Sequence, residues 1–324
     1  MDLWALTDLC TPWCVHVVIT LRVAEHLVEG RNELGALAEA AGADRDALQR
    51  VLRHLIEKGL FKEPRPGHFE LNDGARALLG PEARVAFDLD GFGGRMAHAW
   101  GTLLQAVRTG KPAYREVFGR DYWDDLAAHP AIAAQFDELM GPAGHGVPDP
   151  EVLPSGDWEN IRTVVDVGGG TGSLLVEILK KYKNTEGILV DLPSTVAKAG
   201  RVFAAAGVAE RAGVAGQSFF DPLPAGGDLY ILSRVLVDWP DKEALAILRR
   251  CAEAARKSSG RVVVFTNSDR GEPAPPDLLM LVLVGGKSRT IEELEAMGTE
   301  AGLVIRKIGR QASGRVLVEF RGTE

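Results

Sequence analysis

After Trp158 the chain alternates between short apolar runs and longer stretches in which apolar residues recur every three or four positions. This alternation of strands and amphipathic helices is typical of a parallel sheet that is covered on both faces. Residues 310–314 are too short a connection for a crossover, so the two runs that they join are predicted to form an antiparallel hairpin. The predicted strands are 163–167, 187–190, 212–216, 229–233, 261–266, 304–309 and 315–320.

The pattern before residue 80 is helical and ends in a hairpin. An apolar segment over 17–27 has no clean helical stripe, which indicates burial on most sides. A short helix stopped by a glycine follows, and then a longer helix that Asp44 caps. Residues 60–71 are predicted to form a hairpin around a Pro-Arg-Pro-Gly turn. Helix, short helix, helix and hairpin in this order predict a winged helix-turn-helix.

One segment joins the first predicted strand of the sheet to a helix, and it reads Val-Val-Asp-Val-Gly-Gly-Gly-Thr-Gly-Ser over 164–173. Such a turn lets a cofactor lie against backbone N–H groups at a helix N-terminus. A dinucleotide fingerprint requires a glycine where Ser173 stands. The spacing from Asp166 to Gly172 is instead Asp-x-Gly-x-Gly-x-Gly. A carboxylate at this position disfavours a pyrophosphate and suits a cofactor that carries an ammonium and a sulfonium group, S-adenosylmethionine (SAM).

A second acidic residue supports the same interpretation. Asp191 follows the next apolar run and lies nineteen residues beyond Gly172. A carboxylate in this place can accept hydrogen bonds from both hydroxyls of a ribose. Taken alone, Asp191 is better explained as a helix N-cap or a turn residue. Combined with the glycine turn at this spacing, the ribose role is favoured.

Composition and charge narrow the class of protein. The residues are 46% hydrophobic and 25% charged, as in an ordinary globular protein, and the net charge of -8 argues against nonspecific nucleic-acid binding. The chain has three cysteines, Cys10, Cys14 and Cys251, an odd number that gives no even disulfide framework. Cys10 and Cys14 share a predicted helix face, but two ligands are too few for a metal site. We therefore expect buried structural cysteines. With no apolar run of membrane-spanning length and no signal-peptide pattern after Met1, we predict a cytoplasmic protein that binds neither membrane nor nucleic acid.

The winged helix raises a second class of function, a DNA-binding regulator. Arg50, Arg53 and His54 lie on or near the predicted recognition helix, and Lys62 lies in the wing. Winged helices also serve as packing or dimerisation modules whose charges are merely solvated. In an acidic chain that carries a SAM-type turn, the second interpretation is favoured.

Taken together, the chain resembles the small-molecule O-methyltransferases of plants and actinomycetes, and most of all the actinomycete enzymes that act on aromatic polyketides and naphthoates. The resemblance runs from about Leu6 to Glu319. Its motifs lie at Thr11–Pro12, Leu21–Ala24, Leu52–Leu55, Gly59–Phe61, Arg108–Tyr114, Trp123–Leu126, Ser218–Pro224, Asp238–Asp241, Asp277–Leu281 and Gly285–Lys287.

The resemblance implies an α/β fold with a Rossmann-like class I methyltransferase domain, whose seven-stranded sheet has an antiparallel last strand, and an N-terminal α-helical winged-helix domain that forms a homodimer. We accordingly predict a dimerisation domain over 1–90, a helical connecting and substrate-lid region over 91–157, and a SAM-binding domain over 158–324. The implied substrate is an aromatic or polyketide-derived small molecule of secondary metabolism.

The resemblance also assigns residues to the two ligands. Ser218 stands where many relatives have Asp, and its hydroxyl can still accept from an adenine amine. Plain core packing is the alternative for the aromatic and methionine residues, and it is equally favoured for Phe136 and Met140. The implied SAM-binding residues are Asp166, Gly168, Gly170, Asp191, Leu192, Ser218, Phe219, Ser233 and Arg234. The implied substrate-binding residues are Trp123, Phe136, Met140, Trp239, Asp277 and Met280.

The catalytic positions depart from the family pattern. Most relatives carry a histidine base before the Asp-Trp pair, where this chain has Val237. The two glutamates that orient this histidine are matched by Thr266 and Ser288. None of the three can take a proton at neutral pH, and a lone His145 or His98 is more often structural or at the surface. We therefore assign no base.

Two mechanisms remain open. A methyltransferase without the histidine would rely on proximity and desolvation, acting on an oxygen that is already acidic or is activated in the site. A methyltransferase-fold enzyme could instead keep SAM and use its positive charge in a different reaction, as a decarboxylase, a hydroxylase or a pericyclase-like catalyst. The first is our leading hypothesis, the second the alternative, and the DNA-binding regulator a distant third.

Overall fold

The helices and strands of a computed structural model, which describes residues 6–268, 271 and 276–323, are grouped in two compact units. The first contains the chain up to Gly101 and His129–Leu139, and the second contains Thr102–Ala128 and the chain from Met140 onward. Residues 1–5 and 324, which belong to the predicted terminal domains, lie outside the described part. The predicted domain boundaries after residues 90 and 157 stay a prediction.

The first unit has the predicted order of helices and hairpin. The Asp44 carboxylate accepts a hydrogen bond from the backbone N–H of Ala47 over 2.9 Å, and thereby caps the longest helix of the motif. That helix buries Leu48, Leu52 and Leu55, whose spacing of three and four positions places them on one helix face. The elements are α1 (Cys10–Thr20), α2 (Val23–Val28), α3 (Leu34–Ala40), α4 (Arg45–Glu57), β1 (Lys62–Arg65), β2 (His68–Glu70), α5 (Asp73–Arg76), α6 (Pro81–Phe87) and α7 (Phe92–Ala99).

The apolar segment over 17–27 is not one continuous element. Helix α1 ends at Thr20, and Arg22 adopts a left-handed backbone conformation with φ of 57° before α2 begins at Val23. A non-glycine residue in this region is uncommon and marks a sharp change of chain direction. Val18, Val23 and Leu27 are at most 5% exposed, so the expected burial is confirmed.

The region before the sheet is helical, as expected from its pattern. Tyr114 donates its hydroxyl to the Asp125 carboxylate over 2.8 Å, and both residues are buried. The helices are α8 (Leu103–Thr109), α9 (Tyr114–Phe118), α10 (Tyr122–Ala128), α11 (Pro130–Met140) and α12 (Pro142–His145).

A seven-stranded sheet forms the centre of the second unit. Its order is β5-β4-β3-β6-β7-β9-β8, and β9 runs antiparallel to both of its neighbours while β3 to β7 are parallel. The predicted sheet and its C-terminal hairpin are therefore confirmed. The strands are β3 (Thr163–Val167), β4 (Glu186–Asp191), β5 (Ala212–Gly216), β6 (Leu229–Leu232), β7 (Arg261–Thr266), β8 (Leu303–Arg310) and β9 (Val316–Gly322).

Helices cover both faces of this sheet. Alternate residues of β3 enter different apolar clusters: Val165 and Val167 pack with one set of helices, and Val164 packs with another. The carboxyl ends of the parallel strands meet at one edge, where ligands bind in open α/β sheets. The helices are α13 (Ser173–Lys181), α14 (Pro193–Val196), α15 (Ala199–Ala205), α16 (Asp241–Arg256), α17 (Leu278–Leu283) and α18 (Ile291–Glu300).

Across the described ranges, the structure contains no helix with the length and apolar character that a membrane span requires.

Candidate active site

The glycine turn follows β3 at the carboxyl edge of the sheet. Gly168, Gly170 and Gly172 have φ of 69°, 63° and 88°, a left-handed region that glycine enters without a steric penalty. A Cβ at Gly168 would lie 2.7 Å from a Val235 methyl carbon, and one at Gly172 would lie 2.7 Å from the Phe203 ring. Glycine at these two positions is therefore required by packing as well as by conformation.

Asp191 is placed at the end of β4, directly beside that turn. One carboxylate oxygen accepts the backbone N–H of Gly170 over 2.9 Å, and the other accepts the backbone N–H of Leu192 over 2.7 Å. A Cβ added to Gly170 would meet no atom within 4 Å, so open space lies next to this turn residue. The Leu192 side chain is 44% exposed. The turn and Asp191 thus form one cradle with room for a ligand.

Asp166 lies beneath the turn and is 1% exposed. Neither of its carboxylate oxygens has a hydrogen-bond partner among the residues that the structure describes. Burial, with a smaller contribution from the charge of Asp191, raises the pKa of Asp166 to about 7, and Arg234 opposes this rise. The backbone amide of Leu175 also lowers this pKa a little, but it does not reach hydrogen-bond geometry. A buried acid without partners is costly unless a cation compensates it.

Aromatic residues lie beside the turn within the second unit. The Trp123 and Trp239 rings are stacked, with centroids 6.2 Å apart and an angle of 19° between their planes. Phe219 approaches Trp239 edge-on at 5.8 Å, and it also lies close to Gly168. The Ser218 hydroxyl accepts the backbone N–H of Phe220 over 3.2 Å. Four predicted site residues, Trp123, Ser218, Phe219 and Trp239, are thus brought together.

The other predicted substrate residues are more dispersed. Phe136 belongs to the first unit and packs on Phe92 with ring centroids 5.6 Å apart. Asp277 precedes α17 and accepts the backbone N–H of Ser288, while Met280 is half-buried on that helix. The Met140 carbonyl is hydrogen-bonded within the second unit. Roles of these residues toward a substrate stay predictions.

Arg234 follows Ser233 at the end of β6, and its φ is 60°. Its Nη2 donates to the Met140 carbonyl over 3.1 Å, whereas its buried Nη1 has no hydrogen-bond partner in the described part of the chain. Burial lowers the pKa of the Arg234 guanidinium most strongly, and the positive charge of Arg315 lowers it further. The negative charges of Asp238 and Asp166 raise this pKa.

Asp238 is the half-buried residue between Val237 and Trp239. Burial raises the pKa of its carboxyl to about 7, and only the charge of Arg234 opposes this rise. A carboxyl with a pKa near 7 is partly protonated at neutral pH. The acidic residues that flank Arg234 therefore neutralise its charge incompletely.

The three positions of the absent base and its partners line one cavity of about 210 Å³. Val237, Thr266 and Ser288 all face it, and the Thr266 hydroxyl donates to the Arg289 carbonyl over 2.9 Å. Gly286 backs onto Val237 so closely that a Cβ would collide with the Val237 carbonyl. The Gly-Gly-Lys motif thereby fixes the Ser288 segment against the Val237 turn.

The two histidines considered as bases lie in different units. His145 is exposed and lines the same cavity as Val237. His98 belongs to the first unit, where its ring lies 5.2 Å from the Trp13 ring. His145 therefore has a position at the cavity of the missing base, and the ring contact of His98 lies within the first unit.

The cysteines differ from expectation in one respect. Cys14 and Cys251 are buried, but Cys10 is exposed. Cys10 and Cys14 share a face of α1 with sulfur atoms 3.8 Å apart, and ligand atoms of these two residues and His54 all lie within 4.8 Å of one another. Sequence reasoning missed His54 as a third member because it comes from α4, and no local pattern reports the packing of α1 on α4.

The residues at the carboxyl edge of the sheet fit SAM. The left-handed glycine turn leaves open space at Gly170, Asp191 borders it at the expected ribose position, and the carboxylate of Asp166 lacks a partner. A sheet of this order with such a turn after its first strand defines a class I SAM-dependent methyltransferase. Sequence comparisons extend this assignment from the class to a family.

A model of the O-methyltransferase domain matches residues 100–304, and a model of the O-methyltransferase dimerisation domain matches residues 4–81. The chain belongs to this family of SAM-dependent O-methyltransferases. It is 41% identical to the 2,7-dihydroxy-5-methyl-1-naphthoate 7-O-methyltransferase of Streptomyces carzinostaticus, over 94% of this chain and 93% of that protein. It is 36% identical to the aclacinomycin 10-hydroxylase RdmB of Streptomyces purpurascens, over 97% and 86% of the two chains.

Solved structures agree with this assignment. One is the O-methyltransferase NcsB1 of neocarzinostatin biosynthesis, crystallised with SAM and 2-hydroxy-5-methyl naphthoic acid. It superposes with a TM-score of 0.89 and 39% identity, over 100% of this chain and 99% of that one. The family, the fold class and SAM as the cofactor are thereby confirmed. The non-methylating alternative is not favoured, although one of these relatives, RdmB, is named as a hydroxylase.

Proposed function

We propose that this enzyme transfers a methyl group from SAM to a hydroxyl oxygen of an aromatic, polyketide-derived small molecule in secondary metabolism. The observation that carries the proposal is the position of Phe219, which lies against the glycine turn and also packs edge-on against Trp239. Aromatic rings favour stacked and edge-to-face partners, so this wall suits a flat aromatic substrate next to the cofactor. The naphthoate O-methyltransferase at 41% identity supports the same substrate class.

Each part of the cradle has a role toward the cofactor in this proposal. The carboxylate of Asp191 accepts from the ribose hydroxyls, and the backbone of Gly168 and Gly170 allows close approach. Asp166 provides negative charge beneath the ammonium group, and Ser218 with Phe219 borders the adenine. Bound SAM supplies an electrophilic methyl group on a positively charged sulfur.

The accepting oxygen loses its proton without a side chain that acts as a dedicated base. A phenol has a pKa of about 10, so roughly one molecule in a thousand is ionised at pH 7. Holding the oxygen in line with the methyl group, in a site from which water is excluded, supplies factors comparable to or larger than the ~10²–10⁴ of a general base. Val237 contributes to this exclusion because its side chain is apolar.

We also propose a homodimer that forms through the dimerisation domain. Leu6, Leu9 and Trp13 in the first unit are 68%, 76% and 39% exposed. Exposed apolar groups of this size near one another are typical of a protein interface. The match of residues 4–81 to the O-methyltransferase dimerisation domain supports the same assembly.

Cytoplasmic location and the absence of nucleic-acid binding remain part of the proposal. The net charge of -8 supports the second point, since nonspecific binding depends on neutralising phosphates. A mobility-shift titration at low salt tests it, and cell fractionation tests the location.

Mass spectrometry of the purified enzyme with SAM and a panel of hydroxylated aromatics, including hydroxynaphthoic acids, tests the main proposal. We expect a product heavier by one methyl group and an equal amount of S-adenosylhomocysteine. Turnover that requires SAM but yields no S-adenosylhomocysteine would contradict methyl transfer. A panel of polyketide phenols without a carboxyl group, run in parallel, defines the substrate class.

A further inference from the structure

The cavity that contains the positions of the missing base is strongly basic. Arg234, Lys287, Arg289 and Arg315 line it together with His145, and no aspartate or glutamate is among its described lining residues. Several positive charges around one cavity repel one another and favour a bound anion.

Two of the four cations have partners within the fold. Lys287 forms ion pairs with Asp241 at 3.1 Å and with Glu293 at 3.0 Å. Arg289 pairs with Asp241 at 3.0 Å, and its guanidinium also donates to the carbonyls of Leu236 and Trp239. These two side chains are structural clamps, and their charge is largely balanced.

The remaining two cations, Arg315 and Arg234, form no ion pair within 4 Å among the residues that the structure describes, although Arg234 donates one hydrogen bond to the Met140 carbonyl. The Arg315 guanidinium lies 5.8 Å from the centre of the Phe265 ring and forms no hydrogen bond or ion pair with any side chain in the described ranges. Arg234 has one buried nitrogen without a partner in the described part of the chain. The nearby positive charge of Arg315 lowers the pKa of the Arg234 guanidinium. Its acidic neighbours have raised pKa values, so they offset this repulsion only in part.

We propose that this cavity binds an anionic carboxylate of the substrate, which accepts hydrogen bonds from Arg315 and Arg234. The substrate class is then a hydroxylated aromatic carboxylic acid, and this inference rests on the proposed function. Two guanidinium groups present planar, forked donors that match a carboxylate. Val237, Val264 and Phe265 supply an apolar wall in the same cavity, which suits a carboxylate joined to a ring.

The proposal explains why the replacement of the family histidine by Val237 is compatible with activity. A carboxylate fixed by two arginines orients the ring, so the hydroxyl is held in place without a contact to a base. Arg315 and Arg234 act here as positioning residues, since they hold the substrate and not the methyl group.

The test is equilibrium binding by titration calorimetry, with the enzyme saturated with S-adenosylhomocysteine. The probes are 1-hydroxy-2-naphthoate and its methyl ester, which have the same hydroxyl but differ in charge. The variant is Arg315→Gln. The matched control is Arg306→Gln, which makes the same charge change at an exposed position of β8 in the same sheet.

We expect Arg315→Gln to weaken binding of the acid on the order of 10- to 100-fold, as is typical for loss of a charged hydrogen bond, and to change binding of the ester less than about twofold. Arg306→Gln leaves both unchanged, and added salt weakens binding of the acid alone. The S-adenosylhomocysteine affinity of each variant reports whether the fold is intact. The conservative Arg315→Lys variant is expected to recover part of the lost affinity for the acid.

Any one of three results would contradict the anion site. The unaltered enzyme binds the acid and the ester with equal affinity, or Arg315→Gln loses affinity for both to the same extent. The third is that the unaltered enzyme binds neither 1-hydroxy-2-naphthoate nor 2-hydroxybenzoate. These results do not decide the proposed function, because methyl transfer is measured separately. An enzyme that binds the acid through Arg315 but methylates no phenol would keep the anion site and refute the methyltransferase proposal. Methylation of neutral phenols alone would support the methyltransferase proposal and refute the anion site.

Discussion

Gly170 donates its backbone N–H to the carboxylate of Asp191 over 2.9 Å, and this bond joins the turn after β3 to the end of β4. The two strands are parallel neighbours in which Val167 pairs with Val190, so their carboxyl ends are side by side. The contact ties the glycine turn to the residue expected to bind the ribose. Contacts within the protein therefore set the geometry of the cradle.

Replacing this carboxylate should weaken cofactor binding more than it weakens the fold. In Asp191→Ala the turn loses its acceptor and the ribose loses its partner, so we expect affinity for S-adenosylhomocysteine to fall about 10- to 100-fold. Titration calorimetry measures this. Glu186→Ala, at the exposed opposite end of β4, is the control and should leave the affinity unchanged. An Asp191→Ala variant with unaltered affinity would exclude the ribose role.

The stability of the ligand-free enzyme should depend on pH through Asp166. Its pKa is about 4 in the unfolded chain and is raised to about 7 in the fold, chiefly by burial. Because the fold disfavours the ionised form, the free energy of unfolding should be highest below pH 4 from this group, fall as the pH rises to about 7, and level off above it. Asp166→Asn should flatten this slope in urea unfolding at pH 5 and pH 8.

The affinity for SAM should depend on pH in the opposite direction to the stability of the ligand-free enzyme. A bound ammonium group favours the ionised carboxylate, so SAM should bind more tightly at pH 8 than at pH 6 and release a proton as it binds. Calorimetry in buffers of different ionisation enthalpy detects this proton. If Asp166→Asn shows the same proton release, Asp166 is not its source.

Local patterns were sufficient to predict the strands and the cradle. The glycine spacing and Asp191 are encoded within a few residues of each strand end, and the predicted bounds of β3, β5 and β7 agree with the structure. The break at Arg22 was missed because a uniformly apolar segment has no periodicity to interrupt. Such a segment reports burial but not the direction of the chain.

The basic cavity could not be predicted from local sequence. Arg315 enters it because β9 pairs antiparallel with β7, which places Val316 opposite Thr266. This pairing joins residues fifty positions apart in the chain. No sequence motif next to either residue predicts that the two will be neighbours. Clusters built by long-range pairing become visible only in the fold.

Arg261 is predicted to be the most important ion-pairing residue for stability. It is 6% exposed at the start of β7, pairs with Asp157, and lies 3.7 Å from the carboxylate of Glu319, which is 1% exposed. Arg261→Ala leaves the buried Glu319 charge without its cation, a change that typically costs about 3–5 kcal/mol. Urea unfolding measures the loss.

The control for Arg261 is an exposed pair. Arg249 lies 2.8 Å from Glu300, with side chains 50% and 61% exposed. Arg249→Ala should cost no more than about 1 kcal/mol because water screens such pairs. Equal losses in the two variants would mean that the Glu319 carboxylate finds another partner, such as its hydrogen bonds from Ser155.

The dimer is predicted to depend on the exposed apolar residues of the first unit. Leu9→Asp puts a charge into the proposed interface, and loss of one central apolar contact commonly costs about 2 kcal/mol. We expect the dissociation constant of the dimer to rise by about 30-fold or more. Light scattering after size exclusion measures this, with Val214→Asp, on the 51% exposed residue of β5, as control. An unchanged dimer would place the interface elsewhere.

Restoring the family histidine tests whether Val237 faces the substrate. In Val237→His the imidazole enters a cavity that also contains Arg234 and Arg315, and these cations favour its neutral, basic form. We expect the rate of methyl transfer to a phenol near pH 7 to be kept or to rise, by at most the ~10²–10⁴ of a general base, and the pH profile to shift toward neutral. Val237→Gln, polar but not basic, separates proton transfer from a change of shape and should not shift the profile. If neither the rate nor the profile of Val237→His differs from the unaltered enzyme, Val237 does not face the accepting oxygen.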